Sequence, residues 1–343
     1  MPDDLRLAFI GFGNVGRALG RLLIAKRELL ETHHGLRTRV VGLATGKHGA
    51  VIHPEGLDLG QALALVEAGG TLHELGTPAP SDGQAFLRTI EADVLLESTP
   101  VNYHTGQPAL GYLQTALERG MHAITANKGP VVHGYRQLTD LARQHGRRFL
   151  FESAVMDGAP IFSLWREALP AAELTSFRGI LNSTTNLILT RMEAGESYAQ
   201  ALAHAQSIGI AETDPSGDIL GWDAAVKVAA LVTVLMDTPL VPDRVDRRGI
   251  DGLTQDDIRS AARDGRRWKL VCSAQRKGAG VTARVQPEQV DPSDPLYTVV
   301  GTSSAVTFTT DVLPSLTITE GDPGPVTTAY GMLADLIRAA GAL

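Results

Sequence analysis

The sequence predicts an α/β protein with a doubly wound parallel sheet and a second, smaller α/β domain. Three observations support this fold class. Buried-strand patterns alternate with helical patterns over the first half of the chain, a glycine-rich turn follows the first strand, and the alternation changes in the second half. Strands that alternate with helices in this way are typical of a parallel sheet that helices cover on both faces.

Five apolar runs are the strand candidates of the first half. They lie at residues 5–10, 39–44, 93–99, 122–128 and 147–153. Helical periodicity begins directly after the first run, and further helical segments lie at residues 60–69, 107–120 and 135–146. Each helical segment lies between two strand candidates, as a parallel sheet requires.

After about residue 150 the regular alternation ends. Residues 173–182 are a strand candidate, and several β-rich runs lie between residues 268 and 320. Helical runs lie at residues 186–210, 223–236 and 326–340. The second of these is apolar on most of its circumference, which predicts a buried helix. We find no repeat and no long linker, so the second half is predicted to be an inserted α/β domain.

Composition places the chain among ordinary globular proteins. Of its 343 residues 43% are hydrophobic and 20% are charged, and the formal net charge of −7 argues against a nucleic-acid-binding surface. Cys272 is its one cysteine, which favours a reducing compartment. The first residues lack the pattern of a signal peptide, and the longest apolar run, residues 228–236, is too short to span a membrane. We therefore expect a soluble cytoplasmic protein.

The turn after the first strand carries the pattern G-x-G-x-x-G. Its residues are Gly11, Gly13, Asn14, Val15 and Gly16, with Phe12 between the first two glycines. In a strand–turn–helix context the first glycine permits the tight turn, the second lets a pyrophosphate approach the backbone, and the third allows close helix packing. The pattern predicts a Rossmann-type dinucleotide site, and the alternative is a plain strand–helix turn.

The ends of the next strands supply further candidates for the cofactor site, because ligands of such sheets lie beyond the carboxyl ends of the strands. The second strand ends at Thr45 and Lys47 without an acidic residue, which favours the 2′-phosphate of NADP over the ribose diol of NAD. Ser98 and Thr99 end the third strand, and Asn127 and Lys128 end the fourth. For both lysines an exposed loop position without a ligand remains the alternative.

Carboxylates are concentrated in residues 209–227, where apolar residues separate them. The stretch contains Glu212, Asp214, Asp218, Asp223 and Lys227. One interpretation is an ordinary i, i+4 ion pair on a helix after a turn with a cap. The other is a pocket that binds a cationic or zwitterionic substrate and holds a lysine as proton donor. The residues alone do not decide between the two.

Four separated motifs give the chain a resemblance to homoserine dehydrogenases, from about residue 5 to its C-terminus. They are TANKGP at 125–130, GILNSTTNLILTRM at 179–192, the acidic run at 211–227 and TTAYGMLADL at 327–336. The resemblance implies NAD(P)-dependent interconversion of L-homoserine and L-aspartate 4-semialdehyde in threonine, methionine and isoleucine biosynthesis. It also implies that Lys128 and Lys227 are at the reacting centre.

The same resemblance assigns substrate and cation ligands. Glu212 and Asp223 would hold the substrate through its ammonium group, with Asp218 in support. A sodium ion would lie in the loop that contains Glu152, Val155, Asp157 and Ala159, where Met156 and Asp157 replace two small residues of the family pattern. The segment that covers the cofactor, residues 320–324 with Gly324 at its end, also departs from that pattern.

The resemblance further predicts a homodimer with three regions. Residues 1–150 with 324–343 would form the dinucleotide-binding domain, residues 151–295 the catalytic domain, and residues 296–323 a β-rich dimerisation segment. The chain ends where the family's catalytic core ends, so we expect no feedback by threonine. The alternatives are another amino-acid oxidoreductase, such as an aspartate dehydrogenase, and a catalytically silent nucleotide sensor. An aspartate-semialdehyde dehydrogenase would need a nucleophilic cysteine, and Cys272 lies in a strand that we expect to be buried.

Overall fold

The computed structural model describes residues 4–278 and 280–341. The chain is divided into two compact units. One contains the residues up to 160 together with those from 324 onward, and the other contains residues 161–323. Residues 296–323 lie within the second unit. The three predicted regions, with a dimerisation role for residues 296–323, stay a prediction.

The strands fall into two sheets, one in each unit. The first unit contains β1 (Leu5–Ile10), β2 (Thr38–Ala44), β3 (Ala50–Ile52), β4 (Thr77–Pro78), β5 (Val94–Glu97), β6 (His122–Thr125) and β7 (Phe149–Leu150). The second unit contains β8 (Leu174–Ile180), β9 (Asp246–Arg247), β10 (Arg267–Lys277), β11 (Gly280–Val290), β12 (Ser304–Thr310) and β13 (Leu316–Glu320).

The helices are divided in the same way. The first unit contains α1 (Asn14–Ala25), α2 (Arg27–His34), α3 (Leu59–Glu67), α4 (Gly83–Thr89), α5 (Ala109–Glu118), α6 (Lys128–Gln144) and the last helix, α13 (Pro325–Ala339). The second unit contains α7 (Ile161–Ser163), α8 (Ser183–Glu193), α9 (Tyr198–Ser207), α10 (Ser216–Ile219), α11 (Trp222–Leu235) and α12 (Gln255–Arg263).

The first sheet confirms the predicted fold class. Its strand order is β4-β3-β2-β1-β5-β6-β7, and β2, β1, β5, β6 and β7 run parallel. The strands β2 to β4 lie on one side of β1, and β5 to β7 lie on its other side. The strand order therefore reverses between β1 and β5. Ligands of doubly wound sheets bind outside the carboxyl ends of the strands at such a reversal.

The core of the first unit explains why the last helix belongs to it. Phe9, Leu43 and Leu96 of the sheet belong to the same buried cluster as Leu19 of α1 and Leu336 of α13. Each of these side chains is at most 1% exposed. Burial of one such side chain contributes about 1.5–3 kcal/mol to stability, so the C-terminal helix is held by its apolar face.

The second sheet has the order β13-β12-β8-β10-β11-β9 and is antiparallel except for the pair β11 and β9. Helix α11 packs against β10 and β11. Its residues from Asp223 to Val226 and from Val228 to Thr233 are buried, which agrees with its nearly continuous apolar surface. Lys227 lies between these two buried runs and is itself only partly buried. Within the described ranges, no helix combines the length and the apolar character that crossing a membrane would need.

Candidate active site

The glycine turn is shaped by its contact with the end of β5. Gly11 has a φ of +92°, which is the left-handed region that glycine adopts without strain. A Cβ atom at Gly11 would lie 2.6 Å from the carbonyl oxygen of Ser98. The Ser98 hydroxyl donates a hydrogen bond of 3.0 Å to the carbonyl of Gly11. Only glycine fits where the loops after β1 and β5 approach so closely.

The other two glycines of the turn have opposite surroundings. A Cβ atom at Gly16 would lie 2.5 Å from the carbonyl oxygen of Gly11, so this position allows α1 to pack on the turn. A Cβ atom at Gly13 would meet no atom within 4 Å. Helix α1 begins at Asn14 with neither a side-chain cap nor an acidic residue in its first turn. Open space in front of an uncapped helix N-terminus suits a pyrophosphate.

A buried carboxyl group links the loops after β5 and β6. The side chain of Glu97, the last residue of β5, is completely buried. It accepts hydrogen bonds from the Thr99 N–H at 2.7 Å, from the Thr99 hydroxyl and from the Thr125 hydroxyl. The Asn127 amide donates to the carbonyls of Thr99 and Pro100 at 3.2 and 3.4 Å. Sequence reasoning missed Glu97, although an acid at the end of an otherwise apolar strand is a signal.

The loop after β6 leads directly into α6. Asn127 is the N-cap of this helix and accepts a hydrogen bond of 3.0 Å from the Gly129 N–H. Lys128 is the first helical residue and is half-buried. The structure therefore brings Ser98, Thr99, Asn127 and Lys128 to the carboxyl edge of the sheet.

The turn after β2 is closed by Thr45. Its hydroxyl donates to the carbonyl of Gly49 at 3.1 Å and accepts from the His48 N–H at 2.7 Å. The hydroxyl proton is thus used within the turn. Lys47 lies exposed at its tip, so of the two residues predicted to contact a 2′-phosphate, the lysine has the accessible cationic group.

A second set of polar residues lies in the other unit, and we call it the acid–lysine cluster: Asn182, Asp218, Asp223 and Lys227. The Lys227 ammonium lies 3.0 Å from the Asp223 carboxylate and donates to the carbonyl of Leu181 at 2.6 Å. The Asn182 amide donates to Asp218 at 2.7 Å and to Asp223 at 3.0 Å. The side chains of Lys227 and Asp223 are only 16% and 10% exposed. The pair is therefore not a solvated surface ion pair.

Asn182 holds this cluster in place and was not predicted. It is 4% exposed and is the N-cap of α8. Its side-chain oxygen, Oδ1, accepts hydrogen bonds from the N–H and the hydroxyl of Thr185. Its amide nitrogen is left to bridge the two aspartates. Glu212, by contrast, has an exposed side chain in the loop before α10. That side chain forms no hydrogen bond or ion pair with a residue that the structure describes, so its role as a substrate ligand stays a prediction.

Replacement of Asp218 by asparagine should stabilise the chain. Burial, followed by the neighbouring Asp223 carboxylate, raises the pKa of Asp218. An acid with a raised pKa binds its proton more tightly in the folded chain, so stability falls as pH rises from its unfolded pKa to its folded pKa. The neutral amide avoids this loss, and we expect Asp218→Asn to raise the Tm at neutral pH by roughly 2 °C.

Scanning calorimetry at several pH values would check this expectation. The difference in Tm between Asp218→Asn and the wild type should shrink as pH falls through the pKa of Asp218, because the protonated acid is neutral like the amide. An Asp218→Asn variant that melts below the wild type at neutral pH would contradict the electrostatic account of this position.

The predicted cation loop places its two carboxylates against α13. Glu152 is 2% exposed and lies 3.6 Å from the Arg338 guanidinium. Asp157 has a φ of +37° and accepts a hydrogen bond of 3.1 Å from the Thr327 hydroxyl. Among the described residues, no group of three or more His, Cys, Asp or Glu side chains is arranged to hold a metal ion. A cation here would therefore depend on backbone carbonyls, such as those of Val155 and Ala159.

The space beside the first residues of α13 is open. Gly324 precedes the helix, its N–H donates to the Thr327 hydroxyl at 2.8 Å, and a Cβ atom there would meet nothing within 4 Å. Like Gly13, it leaves room beside a helix N-terminus.

A glycine turn with room for a dinucleotide and a buried acid–lysine cluster define an NAD(P)-dependent oxidoreductase. Residues 11–152 match the family profile described as the NAD binding domain of homoserine dehydrogenase, and residues 160–337 match the profile described as homoserine dehydrogenase. The chain belongs to the homoserine dehydrogenase family.

Individual relatives extend over nearly the whole chain. An NAD(+)-dependent homoserine dehydrogenase of Pseudomonas canavaninivorans is 36% identical over 98% of this chain and 96% of its own. A homoserine dehydrogenase of Methanocaldococcus jannaschii is 34% identical over 97% of both chains. Among solved structures, a hyperthermophilic archaeal homoserine dehydrogenase mutant in complex with NADPH superposes with a TM-score of 0.84 at 27% identity, over 99% of both chains.

A further solved relative is longer. The homoserine dehydrogenase of Thiobacillus denitrificans has a TM-score of 0.82 at 28% identity, over 98% of this chain and 73% of its own. Together these relatives confirm the family predicted from the four motifs. They give no support to an aspartate dehydrogenase or a silent nucleotide sensor.

Proposed function

We propose that the protein catalyses the reversible oxidation of L-homoserine to L-aspartate 4-semialdehyde with NAD(P). The observation that carries the proposal is the Lys227 ammonium, which is held at 3.0 Å from a buried Asp223 carboxylate. A proton donor fixed in a largely buried site is what reduction of an aldehyde requires, because the alkoxide oxygen must be protonated as it forms.

Each residue of the cluster has a distinct part in the proposed reaction. The bound NAD(P) supplies or accepts the hydride. Lys227 uses two of its three N–H groups on Asp223 and on the Leu181 carbonyl, and the third serves the substrate oxygen. In the reductive direction Lys227 gives a proton to the alkoxide, and in the oxidative direction it takes the proton back.

Lys128 is the second lysine that we assign to the reacting centre. Its place at the start of α6 supports this role, because the preceding Asn127 is fixed by hydrogen bonds on both sides. Asp223 and Asp218, with Glu212 from the neighbouring loop, would bind the ammonium group of the substrate amino acid. Fixed carboxylates favour a cationic group over a neutral one.

Cys272 argues against a thiol mechanism of the aspartate-semialdehyde dehydrogenase kind. The residue lies in β10 and is completely buried. Burial raises its pKa to about 12, so the thiol stays protonated at neutral pH and is a poor nucleophile.

NADP is the proposed preferred cofactor, and Lys47 is the residue that supports this preference. The relative from Pseudomonas canavaninivorans is NAD(+)-dependent by name, whereas the archaeal relative was solved with NADPH. We expect Lys47→Glu to lower the ratio of kcat/KM for NADP to that for NAD by about 10-fold, because a carboxylate would repel the 2′-phosphate. Initial rates with each cofactor would measure the ratio.

Lys277 offers a matched control for this substitution. It is an exposed lysine at the end of β10 in the other unit, so Lys277→Glu makes the same change in charge and should leave the ratio unchanged. An unchanged ratio in Lys47→Glu as well would show that Lys47 does not select the cofactor.

A sodium ion is a further part of the proposal. It would bind through the backbone carbonyls of Val155 and Ala159, because the carboxylates of Glu152 and Asp157 already contact Arg338 and Thr327. Replacement of sodium by choline should then lower the Tm.

A cytoplasmic homodimer is also part of the proposal. It would use β12 and β13, and exposed threonines of β13, such as Thr317 and Thr319, would form its contact surface.

Absorbance at 340 nm tests the proposed reaction. Purified protein with L-homoserine and NADP or NAD should form reduced cofactor, and L-aspartate in place of homoserine should not. Reduction with L-aspartate alone would favour the amino-acid dehydrogenase alternative. Cofactor binding without reduction by either substrate would favour a nucleotide sensor.

A further inference from the structure

Glu97 occupies a central position at the carboxyl edge of the first sheet. In the parallel register it is paired with Ile10, the last residue of β1, and with Thr125, the last residue of β6. The carboxyl group therefore lies next to the point where the strand order reverses. Its side chain is completely buried, although a carboxyl group is among the costliest side chains to bury.

A closed ring of hydrogen bonds compensates for that burial. Thr99 donates to Glu97 through its N–H and its hydroxyl. Thr125 donates to the other carboxyl oxygen and accepts from the Asn127 N–H at 2.8 Å. Asn127 closes the ring by its amide contact with the Thr99 carbonyl. One carboxyl group thus fixes both the loop after β5 and the loop after β6.

Close backbone packing also joins the connection after β5 to the start of α6. A Cβ atom at Gly106 would lie 2.8 Å from the carbonyl oxygen of Gly129 at the start of α6. His133 of α6 contacts the Tyr103 carbonyl through Nε2 at 2.9 Å. The long connection after β5 is therefore packed against the first turns of α6, and the residues at the ring have little freedom to shift.

A structural role alone would not call for an acid at this position. Burial raises the pKa of Glu97, and the hydrogen bonds from Thr125 and Thr99 oppose that rise. An apolar residue would fill the same space at the end of a buried strand without the cost of burying a carboxyl group. What the acid adds is orientation, because its two oxygens accept from donors on two different loops.

We propose that Glu97 is the positioning residue for the nicotinamide end of the cofactor site, acting through Thr99, Asn127 and the adjacent Lys128. This inference rests on the proposed function, which assigns Lys128 to the reacting centre, directly after the Asn127 that the ring holds. Glu97 is completely buried, so it would touch neither cofactor nor substrate. It fixes the loops that we assign to the nicotinamide end, whereas the glycine turn, which we assign to the pyrophosphate, contacts the loop after β5 through Ser98 rather than through Glu97.

Paired binding measurements test the proposal. Each reduced cofactor would be compared with its fragment without nicotinamide, NADH with ADP-ribose and NADPH with 2′-phospho-ADP-ribose. We expect Glu97→Gln and Thr125→Val to weaken binding of the reduced cofactors by about 10-fold, the range of a lost hydrogen bond to a charged group. Binding of the fragments should change by less than about twofold, because they lack the nicotinamide, and Glu97 positions only the end of the site that would bind it.

Thr233→Val is the matched control for Thr125→Val. Thr233 is another buried threonine with a hydrogen-bonded hydroxyl, but it lies on α11 in the second unit, so its loss should lower the Tm without changing either affinity. Equal weakening of cofactor and fragment in Glu97→Gln, or no weakening of either, would overturn the positioning role. A wild type that binds NADH but does not oxidise homoserine would refute the proposed function instead, and the binding comparison would still decide the role of Glu97.

Discussion

Lys227→Ala should lower kcat for homoserine oxidation by about 10³-fold, within the range known for loss of a positioned acid or base. The dissociation constants of NADP and NADPH should stay nearly unchanged. The physical reason is the geometry of the acid–lysine cluster, in which a single ammonium group lies between the Asp223 carboxylate and the Leu181 carbonyl. Alanine removes the proposed proton donor and leaves the glycine turn of the other unit untouched.

Steady-state rates and fluorescence titration of the reduced cofactor would measure the two quantities. Lys277→Ala serves as control, since it removes an exposed lysine of the same unit and should keep full activity. Because Lys227→Ala also leaves Asp223 without its cation, the folded fraction should be checked by thermal melting. Full activity in a folded Lys227→Ala variant would refute the assigned role.

Gly13→Val should strongly weaken cofactor binding without harming the fold. A side chain at Gly13 would meet no protein atom within 4 Å, so the valine would occupy the space that we assign to the pyrophosphate. We expect the dissociation constant of the cofactor to rise by about 100-fold, since forcing atoms into filled space costs on the order of 3 kcal/mol. Isothermal titration would measure the affinity, and the Tm should stay near that of the wild type.

Two other glycines distinguish a ligand effect from a folding effect. Gly280→Val makes the same change at an exposed position of β11 in the second unit and should not alter cofactor affinity. Gly16→Ala would place a methyl group 2.5 Å from the carbonyl of Gly11, so it should lower the Tm itself. If Gly13→Val bound the cofactor normally, the pyrophosphate would have to lie elsewhere.

Much of the fold could be predicted because it is encoded in local patterns. The apolar runs that became β1, β2, β5 and β6 are bounded by turns, and the buried helix α11 shows its apolar surface directly. The strands β3 and β4 were missed, since they have only three and two residues and form by pairing, β3 with β2 and β4 with β3. The exact boundary between the units depends on contacts distant in sequence, so local patterns give it only approximately.

In the candidate site, too, residues close in sequence could be predicted, and residues joined by contacts distant in sequence could not. Asp218, Asp223 and Lys227 are close in sequence, so their spacing on α10 and α11 could be recognised. Asn182 is separated by 36 residues from Asp218 and by 41 from Asp223, and no local pattern shows that it bridges them. Glu97 was missed for a related reason, because its contact with Thr125 becomes visible only when β5 and β6 are placed side by side.

Transfer of deuterium would show directly whether the hydride comes from the carbon of homoserine that bears the hydroxyl group. L-Homoserine labelled with deuterium at the carbon that bears the hydroxyl group would be incubated with the protein and oxidised cofactor, and the reduced cofactor would be analysed by mass spectrometry. We expect the reduced nicotinamide to gain one deuterium, and we expect Lys227→Ala to slow this transfer greatly. Reduced cofactor without label, or label that arrives only from substrate deuterated at the α-carbon, would contradict this expectation, because the hydride would then come from the amino-bearing carbon.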